Sequence, residues 1–256
     1  MLHSVAVPDP DCVDFLRWAL PRIGLRWEGF RKVRRQVCRR VGRRIAELGL
    51  GDLDAYRAYL REHPDEWAKL ERLTPITISR FYRDRAVFEA LEHAVIPALG
   101  EEPRIWSAGC ASGEEAYTLA LICDGQVLAS DLDPNMLRRA RAATYERSSL
   151  RELPGPLLER GFDERDGRYV VRPEFRRQVT VHEHDLGTAA PAGPFDLILC
   201  RNTAFTYFTP DRQRAVLGRL RGVLRPGGAL VIGLHERLPD PSGFEPWPKA
   251  RAVFRR

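Results

Sequence analysis

Two periodicities divide the chain. From position 9 to about 72, apolar residues recur every three or four positions, which predicts helices throughout. In the stretch Phe30–Leu50 the positions Val33, Val37, Val41, Ile45 and Leu48 form one apolar stripe, and Gly49 closes the helix. Asp54–Glu62 predicts a second, short amphipathic helix with Tyr56 and Leu60 turned inward. Beyond Arg85 short apolar runs alternate with helical stretches, the arrangement of a mostly parallel α/β sheet. The predicted strands are Ile105–Ser107, Gln126–Ser130, Val179–His182, Phe195–Cys200 and Ala229–Gly233. The predicted helices cover Arg85–Leu99, a stretch opening near Glu114, Pro134–Ala143 and Pro210–Leu224. A digression lies between Arg151 and Val179, where Asp166-Gly167 separates FDER from RYVV and signals a type I′ hairpin. The predicted organisation is a helical domain over 1–72, a connector over 73–84 and an α/β domain over 85–256, with a hairpin insertion at about 157–179.

The stretch from Arg104 to Leu121, R-I-W-S-A-G-C-A-S-G-E-E-A-Y-T-L-A-L, carries the first chemistry. A buried strand, a turn holding Gly109 and Gly113, and a helix opening at Glu114 is how an open α/β sheet builds a nucleotide cradle. The dinucleotide fingerprint G-x-G-x-x-G is absent. Two carboxylates, Glu114 and Glu115, stand where a pyrophosphate wants no negative charge. They tolerate a cationic ligand, and S-adenosylmethionine (SAM) offers a sulfonium and an ammonium. The plainer alternative is a tight turn whose glutamates compensate the helix dipole. Asp131 stands at the tip of the second strand, placed either for ribose hydroxyls or as the cap of the next helix. The later strands deliver Asp185, Arg201-Asn202 and His235-Glu236 to the same edge, where ligands of such sheets bind.

The connector, T-P-I-T-I-S-R-F-Y-R, is bulky and polar, unlike a glycine- or serine-rich spacer. Pro75 favours an extended path, and Thr77, Ser79 and Arg83 lie along it.

Composition adds limits. At 256 residues and 44% hydrophobic, the chain buries one full core and a smaller appendage. No apolar run approaches the roughly 20 residues of a membrane span, and the opening MLHSVAVPDPDC lacks a signal-peptide pattern. The five cysteines form no C-x-x-C pair, and His182-x-His184 has no third ligand spaced to join it. The expectation is a cytoplasmic, reduced, metal-free monomer without membrane insertion. The net charge is +6, and Arg31, Lys32, Arg34, Arg35, Arg39, Arg40, Arg43 and Arg44 crowd the helix around the Val37 stripe. Such a face is a solvated surface, a dock for an acidic protein, or a phosphate binder. The absence of interleaved aromatics and of RNP or zinc-finger patterns weighs against nucleic acid.

These segments, in this order, resemble the CheR-type chemotaxis receptor methyltransferases, SAM-dependent protein-glutamate O-methyltransferases. The resemblance runs through R-R-I-A-E-L-G-L, I-T-I-S-R-F-Y-R-D, W-S-A-G-C-A-S-G-E-E-A-Y-T-L-A, A-S-D-L-D and F-D-L-I-L-C-R-N. It implies a Rossmann-like methyltransferase domain behind a small all-helical domain, with S-adenosylhomocysteine as the spent cofactor. It further implies that Thr77, Ser79 and Arg83 of the linker and Gly109 of the turn border the cofactor. Glu115 would hold the methionine portion, Asp131 the ribose, and Asp185 and Leu186 the adenine, with Arg201 and Asn202 completing the pocket. Arg83 and Tyr207 would form the reaction centre, and the basic residues of 31–44 would meet an acidic protein such as chemoreceptor helices.

The chain departs from the family pattern at four places. Thr77 and Ser79 replace an Asn and a Thr, Ala116 replaces a Pro, and R-N-T-A-F-T-Y-F is one residue longer, which sets Phe205 in competition with Tyr207. The alternatives are a small-molecule or nucleic-acid methyltransferase, or a non-catalytic SAM-binding regulator.

Overall fold

Four amphipathic helices bury their apolar stripes against one another in the N-terminal unit of the computed structural model, which describes Val5 and residues 7–256. They are α1 (Asp9–Ala19), α2 (Arg34–Glu47), α3 (Leu53–Glu62) and α4 (Pro64–Leu73). Phe15 and Leu16 of α1, Val37, Val41 and Ile45 of α2, Tyr56 and Leu60 of α3, and Leu70 of α4 share one cluster. Helix α2 begins later than its periodicity predicts, because Trp27–Phe30 forms a separate turn and Val33 leaves the helical region at ψ 2°. It ends as read from the sequence, at Gly49 with φ +69°, a left-handed conformation that costs glycine nothing. Asp52 caps α3 by accepting from Ala55 N at 2.8 Å, and Pro64 opens α4 at a position where its missing N–H has no intrahelical partner to lose.

One ionic knot holds three of these helices. Glu66 of α4 is buried, and its two oxygens accept from Arg44 Nε and Nη2 of α2 at 2.8 and 2.9 Å. The Tyr56 hydroxyl of α3 donates to the same carboxylate at 3.0 Å. Burial acts to raise the pKa of Glu66, but the hydrogen bonds from Arg44 and Tyr56 outweigh it and hold the carboxyl below its usual range.

The expectation of five reduced thiols is corrected here. Cys12 of α1 and Cys38 of α2 form a disulfide with Cα atoms 6.0 Å apart. Helix packing brings these buried residues together, and their separation of 26 residues carries no spacing signal. Cys110, Cys123 and Cys200 are buried thiols.

A later stretch of chain also belongs to this unit, which comprises the chain up to Thr77 together with Thr206–Thr209. Leu25 pairs with Phe208 in an antiparallel bridge, Arg26 N donates to Tyr207 O at 2.8 Å, and Thr209 N donates to Gly24 O at 3.0 Å. Gly29 is required there, since a Cβ would stand 2.4 Å from Thr206 O.

The second unit comprises Ile78–Phe205 and Pro210–Arg256. Helix α5 (Arg85–Ala90) runs through a widened turn, Leu91–Val95, into Ile96–Leu99. There follow β1 (Arg104–Ala108), α6 (Glu114–Ile122), β2 (Gln126–Asp131) and α7 (Pro134–Ala142). Next come β3 (Thr144–Tyr145), α8 (Gly155–Gly161), β4 (Phe162–Arg165), β5 (Arg168–Val171), β6 (Val179–Glu183) and β7 (Phe195–Cys200). The chain closes with α9 (Pro210–Val223), β8 (Leu224–Ile232), β9 (Glu245–Pro246) and β10 (Val253–Arg255).

The large sheet has the order β6-β2-β1-β7-β8-β10-β9, parallel through β8 and antiparallel at β10 and β9. The chain winds outward from β1 to β6 and then returns to β7 beside β1. That reversal opens a crevice at the carboxyl ends of β1 and β7, where doubly wound sheets bind ligands. The hairpin forms between β4 and β5, with Asp166 and Gly167 both at positive φ (49° and 70°) as a type I′ turn demands. Its third strand, β3, comes from Thr144-Tyr145, ahead of the predicted insertion.

Replacing Glu66 by Ala removes the acceptor of the Arg44 Nε and of the Tyr56 hydroxyl. We expect a loss of roughly 3 kcal/mol, read as a lower unfolding midpoint of the full chain. Because the folded carboxyl titrates below its ordinary value of 4.5, its contribution is full at neutral pH and fades only as the pH falls through that lowered value. The unfolding midpoints of parent and variant should therefore converge in acid.

Candidate functional site

The crevice is built on backbone that only a few residues tolerate. After β1 the chain passes Gly109, Ala111 and Gly113 at φ +83°, +51° and +92°. This turn is stitched to β2: Gly109 N and Cys110 N both donate to Ser130 O at 2.8 and 2.9 Å. At Gly113 a side chain would be both strained and tight, since a Cβ would lie 3.0 Å from both the Ala140 Cβ and the Tyr145 hydroxyl.

Asp131 at the end of β2 completes the stitching. Its Oδ2 accepts from Ala111 N at 2.9 Å and its Oδ1 from Asp133 N at 3.0 Å. The capping alternative falls to its neighbour, since Asp133 accepts from Asn135 N and Met136 N at the start of α7. Burial raises the Asp131 pKa, against the lowering effect of the backbone N–H groups. Beside it Leu132 is 44% exposed, an apolar side chain left uncovered at the edge of the crevice. The sequence reading passed over Leu132. Its signal was an apolar residue between two acids of a D-L-D turn.

The two glutamates at the start of α6 part company. Glu114 is buried, and both its oxygens accept from Ser112 Oγ, at 3.0 and 2.8 Å. Glu115 stays half-buried, with Oε1 accepting from Ser107 Oγ at 2.7 Å and Oε2 from Arg201 Nη1 at 3.0 Å. Arg201, just beyond β7, has a side chain only 2% exposed. Its Nη2 donates to Asp84 Oδ2 at 2.7 Å and to the Arg83 carbonyl at 2.9 Å, while its Nε has no partner. Asn202 follows at φ 54°, with its N–H donated to Glu236 Oε2 at 3.0 Å. The same oxygen accepts from Gly233 N at 2.6 Å, so Glu236 ties the end of β8 to Asn202. The sequence placed Glu236 at this edge, but a carboxylate holding backbone amides leaves no mark in the sequence pattern.

The linker enters as a strained turn. Tyr82 and Asp84 stand at φ 56° and 65°. Phe81 N donates to Ser149 O at 3.0 Å, Tyr82 N to Thr118 Oγ1 at 3.1 Å, and the Tyr82 hydroxyl to Glu92 at 2.8 Å. Arg83 is half-buried, and its guanidinium donates to the Ile78 carbonyl. Ser79 is half-buried two residues after the exposed Thr77, which ends the helical unit. Beyond β6, which pairs Glu183 with Asp131, His184 N donates to Asp131 O at 3.0 Å. Asp185 Oδ1 then accepts from Gly187 N at 2.7 Å, and Leu186 is buried.

Direct bonds thus join Arg83, Glu115 and Arg201, and Gly109 is tied to Asp131 through Ser130, with Asn202, Asp185 and Leu186 on the same strand ends. Tyr207 lies in the helical unit, half-buried, with its ring centroid 4.8 Å from that of Phe30. Phe205, the other aromatic in the lengthened segment, is buried.

Two buried thiols report the field at these strand ends. Burial, then the charges of Asp131 and Glu115, push Cys110 well above its usual range. Burial, then Glu236, push Cys200 up likewise. The carboxylates at these strand ends suit a cationic ligand. The donors also fit SAM: a tight turn, an acid at the tip of β2, an exposed apolar side chain beside it, and a carboxylate at the start of α6 in place of a phosphate cradle. Among the described residues no group of three or more His, Cys, Asp or Glu is arranged to hold a metal ion, and no helix is long and apolar enough to cross a membrane.

A parallel sheet with this cradle at its switch point has the architecture of the SAM-dependent methyltransferases. Family models agree: "CheR methyltransferase, SAM binding domain" matches residues 77–253, and "CheR methyltransferase, all-alpha domain" matches residues 32–73. The chain belongs to the CheR methyltransferase family. It is 36% identical to a chemotaxis protein methyltransferase of Listeria innocua, over 67% of this chain and 70% of that protein. It is 33% identical to a probable chemotaxis protein methyltransferase of Rhizobium etli, over 79% of this chain and 84% of that one. An uncharacterised 104.1 kDa protein of Rhodobacter capsulatus is 35% identical over 79% of this chain, which spans only 23% of that larger protein.

Replacing Glu236 by Ala leaves two backbone N–H groups at Asn202 and Gly233 without their acceptor. We expect a stability loss of about 1–3 kcal/mol in a denaturant titration. Glu236→Gln keeps an acceptor oxygen and should recover most of it.

Proposed function

We propose that the chain transfers the methyl group of SAM to a side-chain carboxylate of a protein, a glutamate of a chemoreceptor or a related signalling protein. The observation that carries this reading is the link from Glu115 through Arg201 to the Arg83 carbonyl, which joins a carboxylate suited to the cofactor's ammonium to the backbone of the arginine suited to an acceptor carboxylate. The similarity to chemotaxis protein methyltransferases of Listeria and Rhizobium supports the same activity.

Bound SAM supplies an electrophilic methyl group on a sulfonium. The chain's own task is then to hold, align and exclude water. Asp131 accepts from the ribose hydroxyls, Glu115 pairs with the ammonium, and Leu132, Asp185 and Leu186 border the base. Gly109, Asn202 and Ser79 complete the cofactor contacts in this reading. A glutamate acceptor with an ordinary pKa near 4.3 is already an anionic nucleophile at neutral pH, so no general base is required. Arg83 grips one acceptor oxygen by directed hydrogen bonds and leaves the other facing the methyl group.

The basic helix supports an acidic partner in a narrower form than the sequence gives. Arg34 is paired with Asp9, Arg40 donates to the carbonyls of Leu73 and Pro75, and Arg44 is paired with Glu66. Arg31, Lys32, Arg35, Arg39 and Arg43 are exposed, and Arg35, Arg39 and Arg43 recur at four-residue spacing on one face of α2. That stripe suits acidic residues on a receptor helix.

Radiolabel from SAM should appear on an acidic membrane protein of the source cell and leave as methanol in mild alkali, as a carboxyl ester does. Alkali-stable label would overturn the glutamate acceptor. Charge reversal at Arg39 and Arg43 should raise KM for that acceptor and flatten its salt dependence, with KM for SAM unchanged. Asp131→Ala should weaken SAM binding by about 1–3 kcal/mol. Ribose donors require the ionised carboxylate, so affinity should be flat at neutral pH and fall on acidification before the ordinary value of 3.8 is reached. Calorimetric titration across pH checks both statements.

A further inference from the structure

Asp84 occupies the N-cap of α5, yet its side chain makes no cap hydrogen bond and its backbone is left-handed, at φ 65° and ψ 61°. An aspartate at an N-cap ordinarily accepts from the first turn of its own helix, which is worth about 1 kcal/mol. Here the carboxylate is instead given to Arg201, a residue 117 positions away, at 2.7 Å. Tyr82, two residues earlier, also stands at positive φ, a conformation that bulky residues avoid. Strain of this kind persists where surrounding groups over-determine it, and it gathers at functional sites.

The surrounding group is the Arg201 guanidinium. It reaches Asp84 and the Arg83 carbonyl with Nη2 and Glu115 with Nη1. Two carboxylates face one buried cation, which leaves one negative charge for a cationic ligand to neutralise. A ligand ammonium that shares the Glu115 oxygen weakens Arg201's hold there and strengthens its hold on Asp84 and the Arg83 carbonyl. We infer that Asp84 is a positioning residue that, through Arg201, couples occupancy of the Glu115 carboxylate to the conformation of the turn carrying Arg83. The inference rests on the proposed function, and it assigns Arg201 to the link between cofactor and acceptor sides. It also accounts for the sacrifice of a helix cap.

The coupling is read by amide hydrogen exchange of the full chain with and without S-adenosylhomocysteine, which carries the ammonium but no methyl group. In the parent, the ligand should slow exchange both in the turn at 109–115 and in the segment 79–84. Asp84→Ala should still bind the ligand within about threefold of the parent and protect 109–115, but lose the ligand-dependent protection of 79–84. Its kcat should fall at least about tenfold with KM for SAM little changed. Should Asp84→Ala not fold, Asp84→Asn, which keeps the volume and one acceptor oxygen, should show partial protection. Ligand-dependent protection of 79–84 that survives in the variant overturns the inference, as does protection in the parent confined to 109–115. A parent that shows no protection in either segment overturns the proposed function and the inference with it.

Discussion

Crowding carboxylates around one buried cation is the constraint on which the rest of this site depends. Asp84 and Glu115 share Arg201, and Glu236 stands beyond it on Asn202. Bringing charge out of water costs several kcal/mol per ion unless hydrogen bonds replace the lost hydration. The chain supplies them from Ser107, from the N–H groups of Asn202 and Gly233, and from the N–H groups of Ala111 and Asp133 on nearby Asp131. Each such bond fixes a strand end or a turn in place. The left-handed residues of the crevice, from Asp84 through Ala111 to Asn202, are the backbone counterpart of this satisfaction. A site wired in this way is poised for a cation and hostile to a phosphate.

The same logic sorts the basic residues of α2. Eight cations on and before one helix read as one face, but the fold spends Arg34, Arg40 and Arg44 on its own cohesion. Arg44 is the clearest case, since Glu66 is nearly inaccessible and needs a cation beside it. What is left for a partner is a stripe of three arginines with Arg31 and Lys32 at its N-terminal end. Surface charge in a count is therefore a poor measure of surface charge in function, because burial of a single acid elsewhere claims part of it.

Local pattern made much of this legible before any coordinates. The strand, glycine turn and acid pair of 104–121 are contiguous, so their chemistry follows from spacing, and the family assignment rests on such contiguous blocks. The alternation of strands and helices located β2, β6, β7 and β8 at the expected edge. What escaped has a common cause. The Cys12–Cys38 bond, the Glu66 knot, the Asp84–Arg201 pair and the Glu236 clamp each join residues brought close by tertiary packing, which no window on the sequence contains. The short strands β9 and β10 escaped because two or three residues carry no periodicity, and their pairing against β8 is what makes them strands. Asp131 was open to two readings, and only the hydrogen bonds of its neighbour Asp133 removed the capping one.

The lengthened segment after Arg201-Asn202 gains a physical meaning from this division of labour. Thr206–Thr209 belongs to the helical unit, bridged at Leu25–Phe208 and packed through Tyr207 on Phe30. Arg83, by contrast, is held by Arg201 and by the amide bonds of its turn. Arg83 thus lies on a turn held by buried charge in the sheet unit, and Tyr207 packs on the apolar cluster of the helices.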